Sequence, residues 1–334
     1  MNSFERYIGV VKGEPVDFLP RVPILMQFAA EYINSNYGSF ASDYRVLVEA
    51  NVRCARDFSI DQLSAISDPY RETQGFGAHI EFVPDGVPRC IDPPLQNSMD
   101  LSLLLTPDPL KSERMLDRVR AIRSYQEQYG GEYSIMGWIE GPAAEAADLR
   151  TVNNFLMDLI LEENFASDLM ALCSQVAIDF ARAQIEAGAD TIGIGDAIAS
   201  QISPDLYERL VQPYEKKIVR AIHEMGALVR LHICGNISHL LAGIADLGVD
   251  ILDVDSMVDM SEVRKKVGGN TALAGNIDPV QGVKFGSPQS IREIIVQTYE
   301  KVGNPYIVNA GCEIPAGTPE ENLRALCQPI EYQR

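Results

Sequence analysis

One short stretch of the sequence places a histidine and a cysteine at a spacing that suits metal binding. In LVRLHICGN, an apolar run leads to His232 and Cys234. Side chains two positions apart in a strand leave the same face, so both could reach one ion. A third soft donor, Cys312, follows another apolar run far downstream and has Gly311 beside it. One histidine and two cysteines with an open fourth position describe a catalytic zinc site, and thiolates favour zinc over magnesium or calcium.

The same residues allow a second interpretation, in which a small buried thiol packs beside a hydrogen-bonded core histidine. If a metal binds, Asp255 in DVDS is the natural fourth ligand, with an ordinary solvated carboxylate as the alternative. Two thiolates would cancel the charge of zinc, leaving a weak Lewis acid that still binds and deprotonates a substrate thiol. The residues therefore predict alkyl transfer to a thiol, with zinc-polarised oxygen chemistry as the second option.

Distant donors need a scaffold that brings them to one place. Apolar runs that alternate with amphipathic helical stretches begin at Arg21, Asp61, Tyr133, Asp190, Leu228, Asp250, Thr271 and Tyr306. Near-continuous apolar strands between helices are typical of a parallel sheet covered on its outside. Eight such strands predict a (β/α)₈ TIM barrel, an α/β fold, as a single domain over residues 1–334. A doubly wound open sheet is the rival architecture.

Two local features add detail to this fold. Between the second and third strands, AHIEFV and VPRCI flank a Pro-Asp-Gly turn, which predicts a β-hairpin insertion that lies over the barrel mouth. After the fourth strand, a long helix should begin at Ser203 as N-cap and Pro204, and should end at Gly226. Pro213 lies inside this helix and should kink it.

Polar residues follow the C-terminal ends of the predicted strands, the face of a barrel that carries active sites. They are Asp68, Glu140, Asp196, His232, Cys234, Asp255, Asn276, Asp278 and Cys312. From this position we expect Asp68, Glu140 and Asp196 to be catalytic, and Asn276 and Asp278 to bind a cofactor. The remaining cysteines and histidines fall outside this set and are given no chemical role.

Composition narrows the class of protein. The 334 residues carry a formal net charge of −19, which argues against a nucleic-acid partner because such binding needs clustered Lys and Arg. Neither a signal-peptide core nor a run of membrane-spanning length is visible. The six cysteines are scattered rather than dense enough for a disulfide scaffold. We therefore expect a cytoplasmic, reduced protein that binds small molecules and no membrane.

Several segments together resemble the uroporphyrinogen decarboxylase superfamily, a single-domain (β/α)₈ fold, over about residues 13–326. They are PVDFLPRVPI, IEGP, ISPDLYERLVQPYEKKIV, LVRLHICGN, GNIDP and NAGCEIPAGTPEENLRAL. In the decarboxylase branch, an arginine-rich RQAGR segment after the first strand grips substrate carboxylates, whereas this chain has MQFAAEY there. AGC also replaces the GHG of that branch. Asp68 in ISDPY does match the catalytic aspartate of the decarboxylases, so a tetrapyrrole or other carboxylate decarboxylase is the alternative activity.

The His-x-Cys and distant Gly-Cys pattern is similar to that of the zinc-dependent methylcobamide:coenzyme M methyltransferases in the same superfamily. The resemblance implies zinc held by His232, Cys234 and Cys312, with Asp255 completing the shell. It also implies methyl transfer between a thiol and the cobalt of a corrinoid (cobamide), or transfer from a methyl donor to cobalt. No Asp-x-His-x-x-Gly signature occurs in the chain, so a separate corrinoid protein should supply the cobamide.

Some properties stay open at this stage. The methyl donor, the methyl acceptor and the direction of transfer are undetermined, and a homodimer is one option for the assembly. A non-catalytic barrel that holds zinc and binds a corrinoid protein is the hypothesis from a different class. The carboxylates gathered at the barrel mouth argue against it, because unpaired acids in one place lower stability without serving a function.

Overall fold

The computed structural model describes residues 1–333, which form a curled parallel sheet surrounded by helices. The strands are β1 (Gln62–Ser64), β2 (His79–Glu81), β3 (Arg89–Asp92), β4 (Ser134–Glu140), β5 (Thr191–Gly195), β6 (Leu228–His232), β7 (Ile251–Asp253), β8 (Ala272–Ala274) and β9 (Tyr306–Ile307). Seven of these strands form one parallel sheet in the order β1-β4-β5-β6-β7-β8-β9. Each of them falls within an apolar run that the sequence predicts to be a strand.

The helices connect these strands and cover the outside of the sheet. They are α1 (Ser3–Val11), α2 (Gln27–Tyr32), α3 (Tyr37–Ser42), α4 (Tyr44–Phe58), α5 (Arg71–Gly75), α6 (Glu113–Tyr129), α7 (Pro142–Arg150), α8 (Val152–Leu161), α9 (Glu163–Ala187), α10 (Pro204–Leu206), α11 (Gln212–Glu224), α12 (Leu241–Ala245), α13 (Met260–Val267), α14 (Pro288–Val302) and α15 (Glu320–Leu326). Their buried faces supply most of the apolar core between the sheet and the helical layer. The result is the TIM-barrel-like α/β fold predicted from the alternation of strands and helices.

The segment around Arg21 closes the barrel, although the strand predicted there is wrong as a regular strand. Val22 N–H donates to the carbonyl of Val308 (2.9 Å), and Asp61 N–H donates to the carbonyl of Arg21 (2.8 Å). The segment therefore lies between β9 and β1, but it forms only an isolated bridge from Arg21 to Val308. Pro23, like Pro20, has no backbone N–H, which prevents a continuous hydrogen-bond ladder.

The predicted hairpin insertion is confirmed. β2 pairs antiparallel with β3, with Ile80 opposite Cys90 and Glu81 opposite Arg89. The hairpin follows β1 and precedes β4, so it leaves the barrel at the C-terminal ends of the parallel strands. It is therefore attached to the same face of the barrel as the polar strand-end residues.

The helix predicted after the fourth barrel strand has the expected start, and it departs from α-helical geometry next to Pro213. The Ser203 hydroxyl accepts from the Leu206 N–H (3.3 Å), as an N-cap does. A π-helical turn, residues 207–211, comes immediately before Pro213 in α11. Pro213 has no backbone N–H to donate, and a π-helical turn lets the helix continue past this missing hydrogen bond. The helix ends just before Gly226, whose φ of +83° suits glycine.

A buried arginine links three strands inside the barrel, below their C-terminal ends. Arg230 on β6 donates from Nε to Oδ2 of Asp253 on β7 (2.6 Å) and from Nη1 to Oε1 of Gln62 on β1 (2.8 Å). β1 and β6 are not neighbours in the sheet, so this contact crosses the interior. The contact between Arg230 and Gln62 holds β6 in position relative to β1. His232 is the last residue of β6, so its position depends on the same contact.

Candidate metal centre and adjoining cavity

Three predicted ligands meet at the C-terminal end of the barrel. His232 Nε2 lies 3.0 Å from Cys234 Sγ, Cys312 Sγ lies 3.7 Å from His232 Nε2, and the two sulfurs are 3.7 Å apart. The possible ligand atoms of these three residues all lie within 4.8 Å of one another. Among the histidine, cysteine and acidic side chains of residues 1–333, this is the group of three or more that comes this close together. The convergence predicted from the sequence is therefore present in the structure.

The separations suit a tetrahedral ion of the size of zinc. Bonds of about 2.3 Å to sulfur and about 2.0 Å to nitrogen place two sulfurs about 3.8 Å apart and a sulfur and a nitrogen about 3.5 Å apart. Two of the observed distances are close to these values, and the third, between His232 and Cys234, is shorter. The donor set also matches the preference of zinc for thiolate and imidazole. The residues present therefore fit a zinc ion.

Buried charged groups lie behind the His232 ring. Its Nε2 faces the two sulfurs, while Nδ1 is buried without a hydrogen-bond partner and lies 4.0 Å from Oδ2 of Asp253. Asp253 is itself held by Arg230 and by Nδ2 of Asn309 (3.0 Å). A carboxylate on the far side of a ligating histidine is a common means of fixing the ring and raising its basicity.

Mutual hydrogen bonding shifts the pKa values of the two thiols in opposite directions. The contact with Cys312 raises the pKa of Cys234, and burial adds to this effect. The contact with Cys234 lowers the pKa of Cys312 well below its usual range, and His232 contributes in the same direction. Burial lowers the pKa of His232, but the hydrogen bond with Cys312 and the charges of Asp253 and Cys312 together outweigh this effect, and the net change is upward. The group already favours a thiolate at Cys312, which is the form that binds metal.

Close backbone packing places Cys312 at this point. Gly311 N–H donates to the carbonyl of Ile277 (2.8 Å), so the chain beyond β9 continues beside the chain beyond β8. A Cβ atom on Gly311 would lie 2.4 Å from the backbone nitrogen of Ser256. Only glycine therefore allows this approach without a backbone shift. The glycine next to Cys312 was predicted to have this role.

A cavity of about 160 Å³ adjoins the three ligands. Besides His232, Cys234 and Cys312, it is lined by Ile24, Met26, Ile66, Asp68, Pro69, Trp138, Glu140, Gly195, Ala197 and Glu313. Most of this wall is apolar, and its carboxylates come from β4 and from the chain beyond β1 and β9. A mainly apolar concavity with a few converging polar groups is the usual form of a small-molecule site.

Two of the three predicted catalytic residues, Asp68 and Glu140, line this cavity, and each is paired with a buried arginine. Arg114 donates to Oδ2 of Asp68 (2.5 Å), and Arg71 donates to Oε1 of Glu140 (2.7 Å). Burial raises the pKa of Asp68, but Arg114 and Arg71 outweigh this effect and hold it at about 2. Burial raises the pKa of Glu140 to about 8 despite Arg71, and Glu72 adds to the rise. Their catalytic roles stay predictions.

The third predicted catalytic residue, Asp196, is fully buried behind the cavity wall and does not line it. Its carboxylate accepts from the backbone N–H groups of Ala143 (3.3 Å) and Ala144 (2.8 Å), at the start of α7. Burial raises its pKa to about 7, even though these hydrogen bonds favour the charged form. In this position Asp196 connects β5 to α7, and its contact with substrate stays a prediction.

The remaining predicted residues are engaged in local hydrogen bonds near the metal centre. Asp255 accepts from Gly235 N–H (2.9 Å) and Met257 N–H (3.0 Å) and lies outside the group of three ligands. Asn276 donates to the carbonyls of Asp255 (3.0 Å) and Val258 (2.7 Å), and Asp278 caps the helical turn that follows it. Neither Asn276 nor Asp278 lines the cavity. Ligation by Asp255 and cofactor binding by the other two stay predictions.

Sequence reasoning missed Trp138 and Glu313, which line the cavity, and the two arginines behind its wall. Trp138 and Glu140 are two apart on β4 and share a face, and the Trp138 indole N–H donates to Oε1 of Glu140 (3.2 Å). The adjacency of Glu313 to Cys312 is a second signal that the sequence contains. The arginine partners Arg71 and Arg114 lie on helices and carry no local signal, because only the fold brings them to Asp68 and Glu140.

Comparison with known proteins identifies the family. The family described as uroporphyrinogen decarboxylase (URO-D) matches residues 2–331. The chain belongs to this family. Uroporphyrinogen decarboxylase of Crocosphaera subtropica is 30% identical over 343 residues, covering 97% of this chain and 94% of the relative. Methylcobamide:CoM methyltransferase MtbA of Methanosarcina mazei is 29% identical over 338 residues, covering 99% and 98%.

A solved structure supports the fold. A methyltransferase from Methanosarcina mazei superposes with a TM-score of 0.89 at 24% identity, covering 98% of this chain and 97% of that one. The family therefore includes proteins named as decarboxylases and proteins named as methyltransferases, at almost equal similarity to this chain. Membership shows an enzyme of the uroporphyrinogen decarboxylase superfamily, and the reaction has to be argued from the site. Among residues 1–333, no helix has the length and apolar character needed to cross a membrane.

Proposed function

We propose that this enzyme is a zinc-dependent methyltransferase that moves a methyl group between a corrinoid on a partner protein and a small-molecule thiol or methyl donor. The observation that carries the proposal is the meeting of His232 Nε2 with the sulfurs of Cys234 and Cys312 beside a substrate-sized cavity. A relative that shares nearly the whole chain is named methylcobamide:CoM methyltransferase, which supports the same reaction class.

The three ligands define the chemistry at the centre. Zinc, when held by His232, Cys234 and Cys312, would bind a substrate thiol and lower the pKa of that thiol. Two thiolates neutralise the ion, so the centre suits sulfur better than activation of water. His232 Nδ1 lies 4.0 Å from Oδ2 of the Asp253 carboxylate, whose charge favours a proton on Nδ1 and leaves Nε2 to face the sulfurs.

The cavity residues position the substrate for transfer. In the accepting direction, the thiol sulfur forms a bond to the methyl carbon, the Co–C bond breaks, its electron pair remains on cobalt and the thiol proton passes to solvent. Trp138, Ile66 and Met26 exclude water from the reacting atoms. Glu140, with its raised pKa, can take up or release a proton at the cavity wall near neutral pH.

A corrinoid partner would dock at the barrel mouth, where several large apolar side chains are exposed. Leu105, Met257 and Phe285 are 63%, 66% and 68% exposed, and they lie in segments that follow β3, β7 and β8. Exposed apolar groups around a site entrance are a feature of protein-binding surfaces. Their position supports delivery of the cobamide by a second protein.

Decarboxylation is the second candidate, favoured by Asp68, which lines the cavity as the decarboxylase branch requires, and by the 30% identical relative. The size and charge of the cavity argue against it. A volume of about 160 Å³ lies below the range of about 300–1,000 Å³ that small-molecule pockets usually span, so only part of a tetrapyrrole could enter it. Arg71 and Arg114 already form ion pairs with Glu140 and Asp68, so they are not free to bind the carboxylates of a substrate.

Methyl transfer from methylcobalamin to a panel of thiols tests the proposal with the zinc-loaded protein. We expect slow transfer that disappears after chelation and returns when zinc is added. Cys312→Ala should abolish transfer, whereas Cys90→Ala, on the hairpin, should retain it because Cys90 does not belong to the group of three ligands. Full activity in the metal-free protein, or decarboxylation of a porphyrinogen at a higher rate, would overturn the proposal.

A further inference from the structure

The charges around the cavity define which substrates it can hold. Three carboxylate residues line it: Asp68, Glu140 and Glu313. Among the described residues, 1–333, those that line it include no lysine or arginine. The centre itself adds two sulfur donors, whose thiolate forms cancel the charge of a divalent ion. The side chains that face the bound molecule are therefore acidic or uncharged.

The two arginines behind this wall do not change that balance. Arg71 is fully buried and lies 2.7 Å from Oε1 of Glu140 and 3.4 Å from Oε2 of Glu72. Arg114 is 4% exposed and lies 2.5 Å from Oδ2 of Asp68. Both guanidinium groups already form ion pairs with carboxylates. If either arginine paired with an anionic ligand instead, a buried carboxylate would lose its partner. That exchange is unfavourable in a buried site.

The shape of the cavity sets a limit on size. An apolar cavity of about 150 Å³ is large enough for one benzene molecule. The present cavity, about 160 Å³, is of that order, and one wall is formed by Trp138 and Ile66. A short chain or a single ring fits beside the ligands, and the wall that its end group would face carries the carboxylates.

We propose, on the basis of the function proposed above, that this site takes a short uncharged thiol and rejects thiols that carry an anionic group. A sulfonate on a two-carbon thiol would lie among Asp68, Glu140 and Glu313 without a free cation to pair with. A sulfonate held there would lose its hydration without gaining a cation, and the ionised Asp68 would add repulsion, so its binding would be strongly weakened. The acceptor of this enzyme therefore differs in charge from the sulfonate-bearing coenzyme M in the name of the Methanosarcina mazei relative.

Binding of two thiols that match in shape and differ in charge tests this inference. Methylsulfonylethanethiol is the uncharged counterpart of mercaptoethanesulfonate, with a methyl group in place of one oxygen. The protein is loaded with cobalt(II) in place of zinc, and each thiol is titrated while the thiolate-to-cobalt absorption is followed. We expect the uncharged thiol to bind roughly ten-fold more tightly or better.

A variant pair shows whether charge is the cause. Met26 lines the cavity and is only half-buried, so Met26→Arg can add a cation at the wall, and Met26→Gln is its uncharged control. Met26→Arg should reduce the preference for the uncharged thiol by about ten-fold, and Met26→Gln should leave it nearly unchanged. If Met26→Arg does not fold, the comparison of the two thiols on the wild-type protein decides alone.

The outcomes separate the two proposals. Equal binding of both thiols, or tighter binding of the sulfonate, overturns the charge selectivity and leaves the methyltransferase proposal standing. If neither thiol changes the cobalt spectrum, thiol binding at this centre is wrong and the selectivity inference fails, whereas methyl transfer as such is judged by the chelation experiment with methylcobalamin.

Discussion

Sγ of Cys234 lies 3.7 Å from Sγ of Cys312, although the two residues are 78 positions apart in the sequence. Cys234 follows β6 and Cys312 follows β9, and two strands separate these in the sheet. Their side chains meet because the sheet is curled, so both reach towards the barrel axis. The candidate metal centre is thus a consequence of barrel closure, because the strand order and the curl of the sheet bring its three side chains together.

Loss of either sulfur should remove the metal. In Cys234→Ser and Cys312→Ser, a hydroxyl replaces a soft thiolate, so we expect the zinc content to fall from about one ion per chain to roughly a tenth of that or less. Elemental analysis of the purified proteins measures this. Cys90→Ser is the matched control, because Cys90 lies on the hairpin and should keep the wild-type content. Full zinc occupancy in Cys312→Ser would contradict the assignment.

Much of this arrangement could be predicted because its signals are local. The apolar run that ends at His232 and the Gly-Cys pair at Cys312 are visible as short patterns, and the alternation of strands and helices then places them at one face. The strand around Arg21 was less predictable. Its apolar residues indicate a strand, but Pro20 and Pro23 remove the donors that a regular ladder requires.

The ion pairs around the cavity could not be predicted from local patterns. Arg114 lies on α6 and pairs with Asp68, 46 positions earlier, and Arg71 pairs with Glu140, 69 positions later. Neither spacing has a helical or strand period, so the sequence shows two arginines among many. Only the packing of α5 and α6 against the barrel brings them to the carboxylates. The charge of the cavity is therefore a property of the fold.

Breaking one of these buried pairs should lower stability strongly. Asp68→Asn leaves Arg114, which is 4% exposed, without its carboxylate. We expect the free energy of unfolding to fall by about 3–5 kcal/mol, as for other buried pairs that lose one partner. Urea unfolding followed by circular dichroism measures the change. The exposed pair of Arg220 and Glu224 gives the control, because Glu224→Gln should change stability very little. If both substitutions lowered the free energy of unfolding equally, the buried pair of Asp68 and Arg114 would contribute no more to stability than an exposed pair.

Stability should also depend on pH through Asp190, which precedes β5 and lies far from the metal centre in the chain. Burial raises the pKa of Asp190 from 3.8 to about 6, although hydrogen bonds from Ile135, Thr191 and Ser134 oppose this. The folded state then binds the proton more tightly than the unfolded state, so stability is greatest below pH 4 for this group and is lost as pH rises to about 6. The difference between these values corresponds to about 3 kcal/mol.

Asp190→Asn removes this titration and serves as its own comparison. The stability of the variant relative to wild type should rise by up to about 3 kcal/mol between pH 4 and pH 7, because only the wild type loses the proton. Urea unfolding at several pH values across this range gives both curves. Parallel curves for the two proteins would mean that Asp190 is already ionised in the folded state at pH 4.

The glycine beside the second cysteine should control metal affinity without supplying a ligand. A Cβ atom at position 311 would lie 2.4 Å from the backbone nitrogen of Ser256, so Gly311→Ala must push the segment after β9 away from the segment after β7. Cys312 moves with it, and we expect the zinc dissociation constant to rise about ten-fold or more, which corresponds to about 1.4 kcal/mol. Competition with a chromophoric chelator measures this affinity. Gly269→Ala is the control, since a Cβ there meets no atom within 4 Å, and it should bind zinc like the wild type. Unchanged zinc affinity in Gly311→Ala, with the fold intact, would show that the position of Cys312 does not depend on this close backbone contact.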